Sequence, residues 1–377
     1  MKIVADAQLT GISTLFADLG ELVLVPAEEL APALLRDADA LLVRSVTSVN
    51  EALLAESPVR FVGTATSGTD HIDVDYLRRR GIELAAAAGS NANAVVDYCM
   101  TALAATLAPA DPARCTVGVV GYGHIGSTLA GRLQRLGFGV RVCDPPLAAM
   151  GGGQVAFEAL AALTECPIIS LHVPLTNVGE HATAGLIDAA FIDALPAGAL
   201  LLNTCRGGVV DEQALLRRLR RGQGQPGGQR EGHRERLRYV ADVWQGEPEP
   251  EPGLVAAAEL ATPHIAGYSR RAKLEATRQL LQQFCRAFSL PGGHDRLYDE
   301  VEAMPLGTVS DPWQVLLEAL PLPLLSNRFK EAVAAGRSAA AFATLRQQML
   351  ERREFRELGL PAERIDAALA AHGFRGL

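Results

Sequence analysis

The chain has 377 residues, of which 49% are hydrophobic and 21% charged, and its net charge is −8. This is globular composition, long enough for roughly two to three domains, and the acidic balance argues against a dedicated nucleic-acid binder. No apolar run reaches the ~18–20 residues of a membrane span. Asp6 follows the start too soon for a secretory signal. The six cysteines are scattered without Cys-x-x-Cys, which suggests neither a disulfide framework nor a zinc site. The expectation is a reduced, cytoplasmic protein with no membrane, nucleic-acid or metal partner.

The first ninety residues alternate short apolar runs with helical stretches. Lys2–Ala5, Leu22–Val25, Ala40–Val43, Arg60–Gly63 and Ile82–Ala86 read as strands, with helix-like segments such as Glu28–Leu35 and Asn50–Ala55 between them. That rhythm implies βαβ units and a buried parallel sheet. Functional groups of such sheets gather at the carboxyl ends of the strands, where two polar clusters stand: Arg44-Ser45-Val46-Thr47 and Thr64 to Asp70.

Asn91–Leu107 reads as one long helix leading into a second alternating region. Its strands are Thr116–Val120, Val140–Cys143, Ile168–His172, Ala199–Leu202 and Tyr239–Val243, and Asp211 is placed to cap the helix Glu212–Arg221. Arg221–Arg238 is rich in Gly, Gln and Arg and reads as an exposed loop. Ala266–Leu290 returns as a helix. From about 291 the pattern becomes mainly helical (Trp313–Leu320, Asn327–Ala335, Ala339–Glu354, Pro361–His372), a third and smaller module.

Gly121-Tyr122-Gly123-His124-Ile125-Gly126 fits G-x-G-x-x-G in the context that gives the pattern meaning. A β-rich run precedes it, a helical apolar stripe follows, and the next strand delivers Asp144. The glycines permit a tight turn, backbone approach to a pyrophosphate and helix–strand packing, while the helix N-terminus offers N–H groups to the phosphates. Asp144 would accept from the adenosine ribose and repel a 2′-phosphate, so NAD is expected over NADP.

Three strand-end segments lie further on: Asn203-Thr204-Cys205-Arg206-Gly207, Asp242-Val243-Trp244-Gln245-Gly246-Glu247-Pro248 and Thr262-Pro263-His264-Ile265-Ala266-Gly267-Tyr268. Arg206 can hold a carboxylate by a two-pronged hydrogen bond. His264 can take an alcohol proton as hydride leaves for the nicotinamide, and Glu247 can orient the imidazole and stabilise its cation. No metal is required, since cationic groups polarise the oxygen.

In these motifs, spread over Leu41–Tyr268, the chain resembles the D-isomer-specific 2-hydroxyacid dehydrogenases. The resemblance implies a flavodoxin-like substrate domain (1–95, with a return segment 267–290), a Rossmann NAD domain (96–266) and, in the branch whose Val43–Thr47, Gly63–His71, Cys143–Pro146, His264–Tyr268 and Leu350–Glu354 segments look alike, a C-terminal dimerisation domain (291–377). It implies a catalytic set of Arg206, Glu247 and His264. It implies NAD contacts from Gly121, Gly123, His124, Ile125, Gly126, Asp144, Val173, Cys205, Asp242 and Gly267, and substrate contacts from Arg44, Ser45, Thr66 and Tyr268. Val173 stands where Thr is frequent, and Gln245 where an acid is. The implied activity is oxidation of a phosphorylated hydroxy acid by a homodimer in pyridoxal phosphate biosynthesis. The alternatives are a dehydrogenase of 3-phosphoglycerate or glycerate, disfavoured because phosphoglycerate enzymes with a C-terminal regulatory module usually carry a ferredoxin-like unit there and this tail reads as mainly helical, and a non-catalytic NAD-sensing protein, which need not keep all three catalytic residues.

Overall fold

A computed structural model describes residues 1–107, 112–151, 155–221, 236–291, 302–304 and 311–377. The chain divides into two compact units, Met1–Ala92 with Ser269–Asp299, and Asn93–Tyr268 with Glu300–Leu377.

In the first unit, β1 (Lys2–Asp6), β2 (Glu21–Val25), β3 (Ala40–Val43), β4 (Phe61–Thr64) and β5 (Glu83–Ala86) form a parallel sheet in the order β2-β1-β3-β4-β5, the flavodoxin-like winding. All four residues of β3 and of β4 are buried, because helices and loops cover both faces and leave no polar side. The helix Arg270–Ala287, begun by the Ser269 hydroxyl accepting from the Ala272 N–H, covers one face. Its Phe284 is buried edge-on to Phe16 (5.4 Å) and Phe61 (5.5 Å), contacts that add about 0.5–1.5 kcal/mol each beyond area burial. Val43 pairs with Thr64, so the clusters after β3 and β4 leave the sheet at neighbouring carboxyl ends.

In the second unit, β6 (Thr116–Val120), β7 (Gly139–Cys143), β8 (Ile168–Leu171), β9 (Leu200–Asn203), β10 (Arg238–Ala241) and β11 (Leu260–Ala261) form a parallel sheet ordered β11-β10-β9-β8-β6-β7. Beyond β7, Phe157 makes a single parallel bridge to Val142. It stands where a Rossmann sheet carries its third strand, here reduced to one residue. The register links Val120, Leu171, Asn203, Ala241 and Ala261 across the sheet. The residues that follow them, Gly121, His172, Thr204, Asp242 and Thr262, therefore share one edge. One apolar core fills this unit and takes in Leu316, Phe329, Phe342 and Phe355 from the C-terminal region.

Several expectations are refined. Glu28–Leu35 is not an α-helix but two 3₁₀ turns, Ala27–Glu29 and Pro32–Leu35, because Pro32 has no N–H to continue a helix. The long return helix begins at Arg270, not Ala266. Ala339–Glu354 shortens to a helix at Ser338–Gln348, and Pro361–His372 to one at Ala367–His372. Between them the chain contributes β13 (Leu358–Leu360), which pairs with β12 (Glu302–Ala303) and β14 (Arg375–Gly376) in a small parallel sheet. Strands this short carry no readable alternation. The region expected as a separate module packs into the core of the second unit. Most of the expected loop 221–238, at residues 222–235, lies outside the described residues, as do 292–301 at the start of the expected third module.

Candidate active site

The dinucleotide turn forms at the end of β6. Gly121 has φ +90°, and a Cβ there would lie 2.6 Å from the His172 carbonyl oxygen and 2.9 Å from Val173 Cγ1. A Cβ on Gly126 would lie 1.9 Å from the Gly121 carbonyl oxygen. The turn therefore tolerates only glycine at both places. Gly123 faces open space, and no side chain caps the helix His124–Arg135. The first-turn N–H groups, including those of His124 and Ile125, remain available to an anion. This cradle fits the pyrophosphate of NAD, and Val173 sits beside it.

Asp144 does two structural things that its position alone did not announce. Its Oδ2 accepts from the Tyr122 N–H (2.7 Å), bracing the glycine turn, and its Oδ1 accepts from the Leu147 N–H (3.0 Å), capping the next helix. Each oxygen keeps a second acceptor direction for ribose hydroxyls. Cys205 is buried, with its N–H and thiol both directed to Asn203 Oδ1 (3.1 Å each). Burial pushes its thiol up to about 11, so it is no nucleophile at neutral pH.

His264 and Glu247 come together. His264 Nδ1 lies 2.9 Å from Glu247 Oε2. A carboxylate only accepts, so Nδ1 carries the hydrogen and Nε2 is the nitrogen left to exchange a proton. The other oxygen of Glu247 accepts from the Trp244 N–H (2.9 Å). Burial works against the Glu247 charge, but the His264 hydrogen bond and charge, the Trp244 N–H and the Arg346 guanidinium outweigh it and hold the carboxyl below its ordinary range. Gln245 donates its N–H to Glu212 (2.7 Å), a buried carboxyl pushed up to about 7 chiefly by desolvation. An acid at 245 would add like charge there.

His264 has φ +57°, a left-handed backbone that costs a non-glycine residue about 1–3 kcal/mol. Asp242 holds it so. This carboxylate is fully buried; Oδ1 accepts from the Thr262 hydroxyl (2.6 Å) and Ile265 N–H (2.7 Å), and Oδ2 from the Ala266 N–H (2.8 Å), while the Asp242 carbonyl accepts from the His264 N–H. Since Thr262 donates to Asp242, the Tyr98 hydroxyl 2.6 Å away must donate to Thr262. Asp242, expected as a cofactor contact, also organises the His264 loop. Gly267 lies in the turn closed by Tyr268 N–H on the Ile265 carbonyl (2.9 Å).

Arg206 is half-buried in the loop after β9, its Nη1 donating to the Cys205 carbonyl (2.8 Å). A Cβ on Gly207 would lie 2.1 Å from Trp244 backbone carbon and oxygen. That close approach seats the Arg206 loop directly on the loop that carries Glu247.

In the first unit, Arg44 is aimed by buried Asp6, whose Oδ2 accepts its Nε–H at 2.7 Å. Ser45 is exposed in the same turn. The Thr66 hydroxyl donates to the Gly68 carbonyl (2.7 Å) and receives from Thr64 (2.8 Å), which leaves Thr64 to accept from His71 Nε2 (3.0 Å). The Thr66 side chain thus already has its donor engaged.

The sequence pattern did not single out Tyr98, Thr262 or Arg346 as parts of this site. Thr262 was legible only as a flank of His264, and Arg346 carries no local signal at all.

This fold and constellation are those of an NAD-dependent dehydrogenase, and residues 102–266 match the family model of the D-isomer specific 2-hydroxyacid dehydrogenase, NAD binding domain. The chain is similar to an erythronate-4-phosphate dehydrogenase of Chromohalobacter salexigens, 42% identical over 85% of this chain and 82% of that protein. It is likewise similar to one of Pseudomonas fluorescens, 40% identical over 98% of this chain and 97% of that protein. The chain belongs to the erythronate-4-phosphate dehydrogenase family. In fold it is similar to an NAD⁺-bound 3-phosphoglycerate dehydrogenase of Entamoeba histolytica, with a TM-score of 0.61 and 23% identity over 79% of this chain and 99% of that one. An NAD-dependent formate dehydrogenase of Staphylococcus aureus gives a TM-score of 0.60 and 21% identity over 76% of this chain and 96% of that one. Among the described residues no helix is long and apolar enough to cross a membrane.

Proposed function

We propose that this protein oxidises 4-phospho-D-erythronate to 2-oxo-3-hydroxy-4-phosphobutanoate with NAD, in pyridoxal phosphate biosynthesis. The His264–Glu247 pair, at 2.9 Å on the carboxyl edge of an NAD-binding sheet, carries the chemistry. The likeness to proteins named erythronate-4-phosphate dehydrogenase over nearly the whole chain supports the substrate.

Arg206 holds the substrate carboxylate in plane with paired N–H donors. His264 accepts the C2 hydroxyl proton at Nε2, and Glu247 keeps the imidazole in the tautomer that can do so. When bound, NAD supplies the hydride acceptor for the C2 hydrogen. The turn at Gly121, Gly123 and Gly126, with Asp144, holds its phosphates and ribose; His124, Ile125, Val173, Cys205, Asp242 and Gly267 are assigned contacts along it. Arg44, Ser45, Thr66 and Tyr268 are assigned to the substrate. Because the Thr66 hydroxyl already donates to Gly68, its N–H is the donor left for an anion. The reading also carries a cytoplasmic homodimer associating through the C-terminal region, by resemblance to enzymes whose extra module dimerises.

The test is NADH formation with 4-phosphoerythronate, 3-phosphoglycerate, glycerate and lactate in parallel, with a 2-oxoacid added in a second series to regenerate bound NAD. A strong preference for 4-phosphoerythronate is expected. Turnover of a shorter acid alone would refute the substrate assignment, and NAD binding without turnover of any would refute the enzyme reading. Sedimentation of the full chain checks the dimer.

A further inference from the structure

We propose that Arg346 is a positioning residue of this reaction, holding Glu247 on Nδ1 of His264 from a part of the chain outside the dinucleotide-binding fold. The inference rests on the dehydrogenase reading above. Arg346 lies on the helix Ser338–Gln348. Its Nη2 donates to Glu247 Oε2 (3.2 Å), the same oxygen that receives the His264 Nδ1–H, and its Nε donates to the carbonyl of Pro263 (3.0 Å), the residue before His264. One planar group therefore grips both members of the pair, the carboxylate directly and the histidine through its preceding peptide. A guanidinium has the rigid fork to do this; an ammonium does not. The cation is itself seated against the Phe342 ring (5.0 Å) and the Tyr268 ring (5.8 Å).

The C-terminal region grips the same loop at other points. The Ser326 hydroxyl accepts the Ala261 N–H (2.9 Å), and buried Arg352 donates to the carbonyls of Ala266 (3.1 Å) and Tyr268 (3.3 Å). The loop that presents His264 is thus tethered before, at and after the histidine by residues far away in sequence. The side chains of Arg346 and Glu247 are 30% and 22% exposed, so the pair is largely withdrawn from solvent while still reachable by water. Their worth lies in geometry, since a displaced base of about 1 Å can cost on the order of 10²-fold in rate.

The experiment is a double-mutant cycle in the full chain: Arg346→Met, Glu247→Gln and both together, with Arg346→Lys as the conservative variant, each checked by near-UV circular dichroism. Arg346→Met is expected to lower kcat about 10- to 100-fold, with KM for the acid and NADH affinity within about threefold. Arg346→Lys should recover part of the loss, because Lys reaches one of the two acceptors. In the Glu247→Gln background, Arg346→Met should change kcat less than about twofold, since the residue acts through Glu247. Wild-type kcat in Arg346→Met, or an equal loss in both backgrounds, would overturn the inference. Should Arg346→Met misfold, Arg346→Lys in the two backgrounds decides the matter by the same comparison. If Glu247→Gln itself turns over like wild type, it is the reading of the site that fails, and that result is distinct.

Discussion

Replacing Asp242 by Asn tests whether a buried carboxylate, rather than the catalytic groups, sets the geometry of the site. In its better orientation the amide keeps its oxygen on the Thr262 hydroxyl and Ile265 N–H, and turns its NH₂ toward the Ala266 N–H that Asp242 Oδ2 now receives at 2.8 Å. One charge-assisted hydrogen bond is lost and two donors face each other without an acceptor, in a position with no exposure. Together these cost about 2–4 kcal/mol. The left-handed backbone of His264 stores about 1–3 kcal/mol, so the loop can relax toward ordinary φ once the carboxylate is gone. We expect kcat to fall about 10²-fold and the urea midpoint to drop accordingly, with NADH affinity nearly unchanged. The assays are steady-state turnover, urea unfolding and NADH titration on the same preparations. A kcat within about threefold of wild type at a stability loss under about 0.5 kcal/mol would refute the argument. Weakened NADH binding with intact kcat would favour the cofactor role that the family resemblance implies for Asp242.

His264→Ala should lower kcat by roughly 10²–10⁴ while NADH still binds; and because φ is +57° at that position, His264→Gly should be about 1 kcal/mol more stable than His264→Ala, a difference that denaturant midpoints would reveal or exclude. Asp144→Ala should narrow the NAD-over-NADP preference in kcat/KM and cost about 1 kcal/mol through the lost helix cap; an unchanged coenzyme ratio would count against its ribose role. His372 is buried with neither ring nitrogen hydrogen-bonded among the described residues, and burial, helped by the Arg132 charge, lowers it to about 3. Above its unfolded value of about 6.5 it is neutral in both states; below that the unfolded chain takes up a proton that the folded chain refuses until pH falls to about 3. Stability should therefore fall by about 1.4 kcal/mol per pH unit below about 6.5, or about 2 kcal/mol by pH 5, and His372→Phe, which keeps the contact with Trp313 (5.7 Å), should remove that part of the acid sensitivity. Parallel pH–stability curves for the two proteins would show the assignment to be wrong.

The local part of this protein was legible because local physics sets it. A strand such as Ala40–Val43 announces itself as a continuous apolar run, since both faces of a parallel sheet are covered. Asp211 does cap its helix, accepting from the Ala214 N–H at 2.9 Å. The glycine turn was readable because no other residue clears the His172 and Gly121 carbonyls. The C-terminal elements were less so. Strands of two or three residues have no period to read, and the helices around them end where Pro, Gly and the core dictate.

What the order of residues indicated by itself is the alternation of strands and helices and the cofactor cradle, because each depends on neighbours within one strand–loop–helix unit, and it brought Arg206, Glu247 and His264 forward as the proposed catalytic set. What only the tertiary structure decided is how those side chains are held. Asp242 bending the His264 loop, Tyr98 reaching Thr262, Gly207 seating Arg206 against Trp244 and Arg346 gripping Glu247 are pairings between residues up to 164 positions apart. No local periodicity or propensity encodes them; they exist only because parallel strands align their carboxyl ends at one edge, and because the C-terminal helices share the core beneath it.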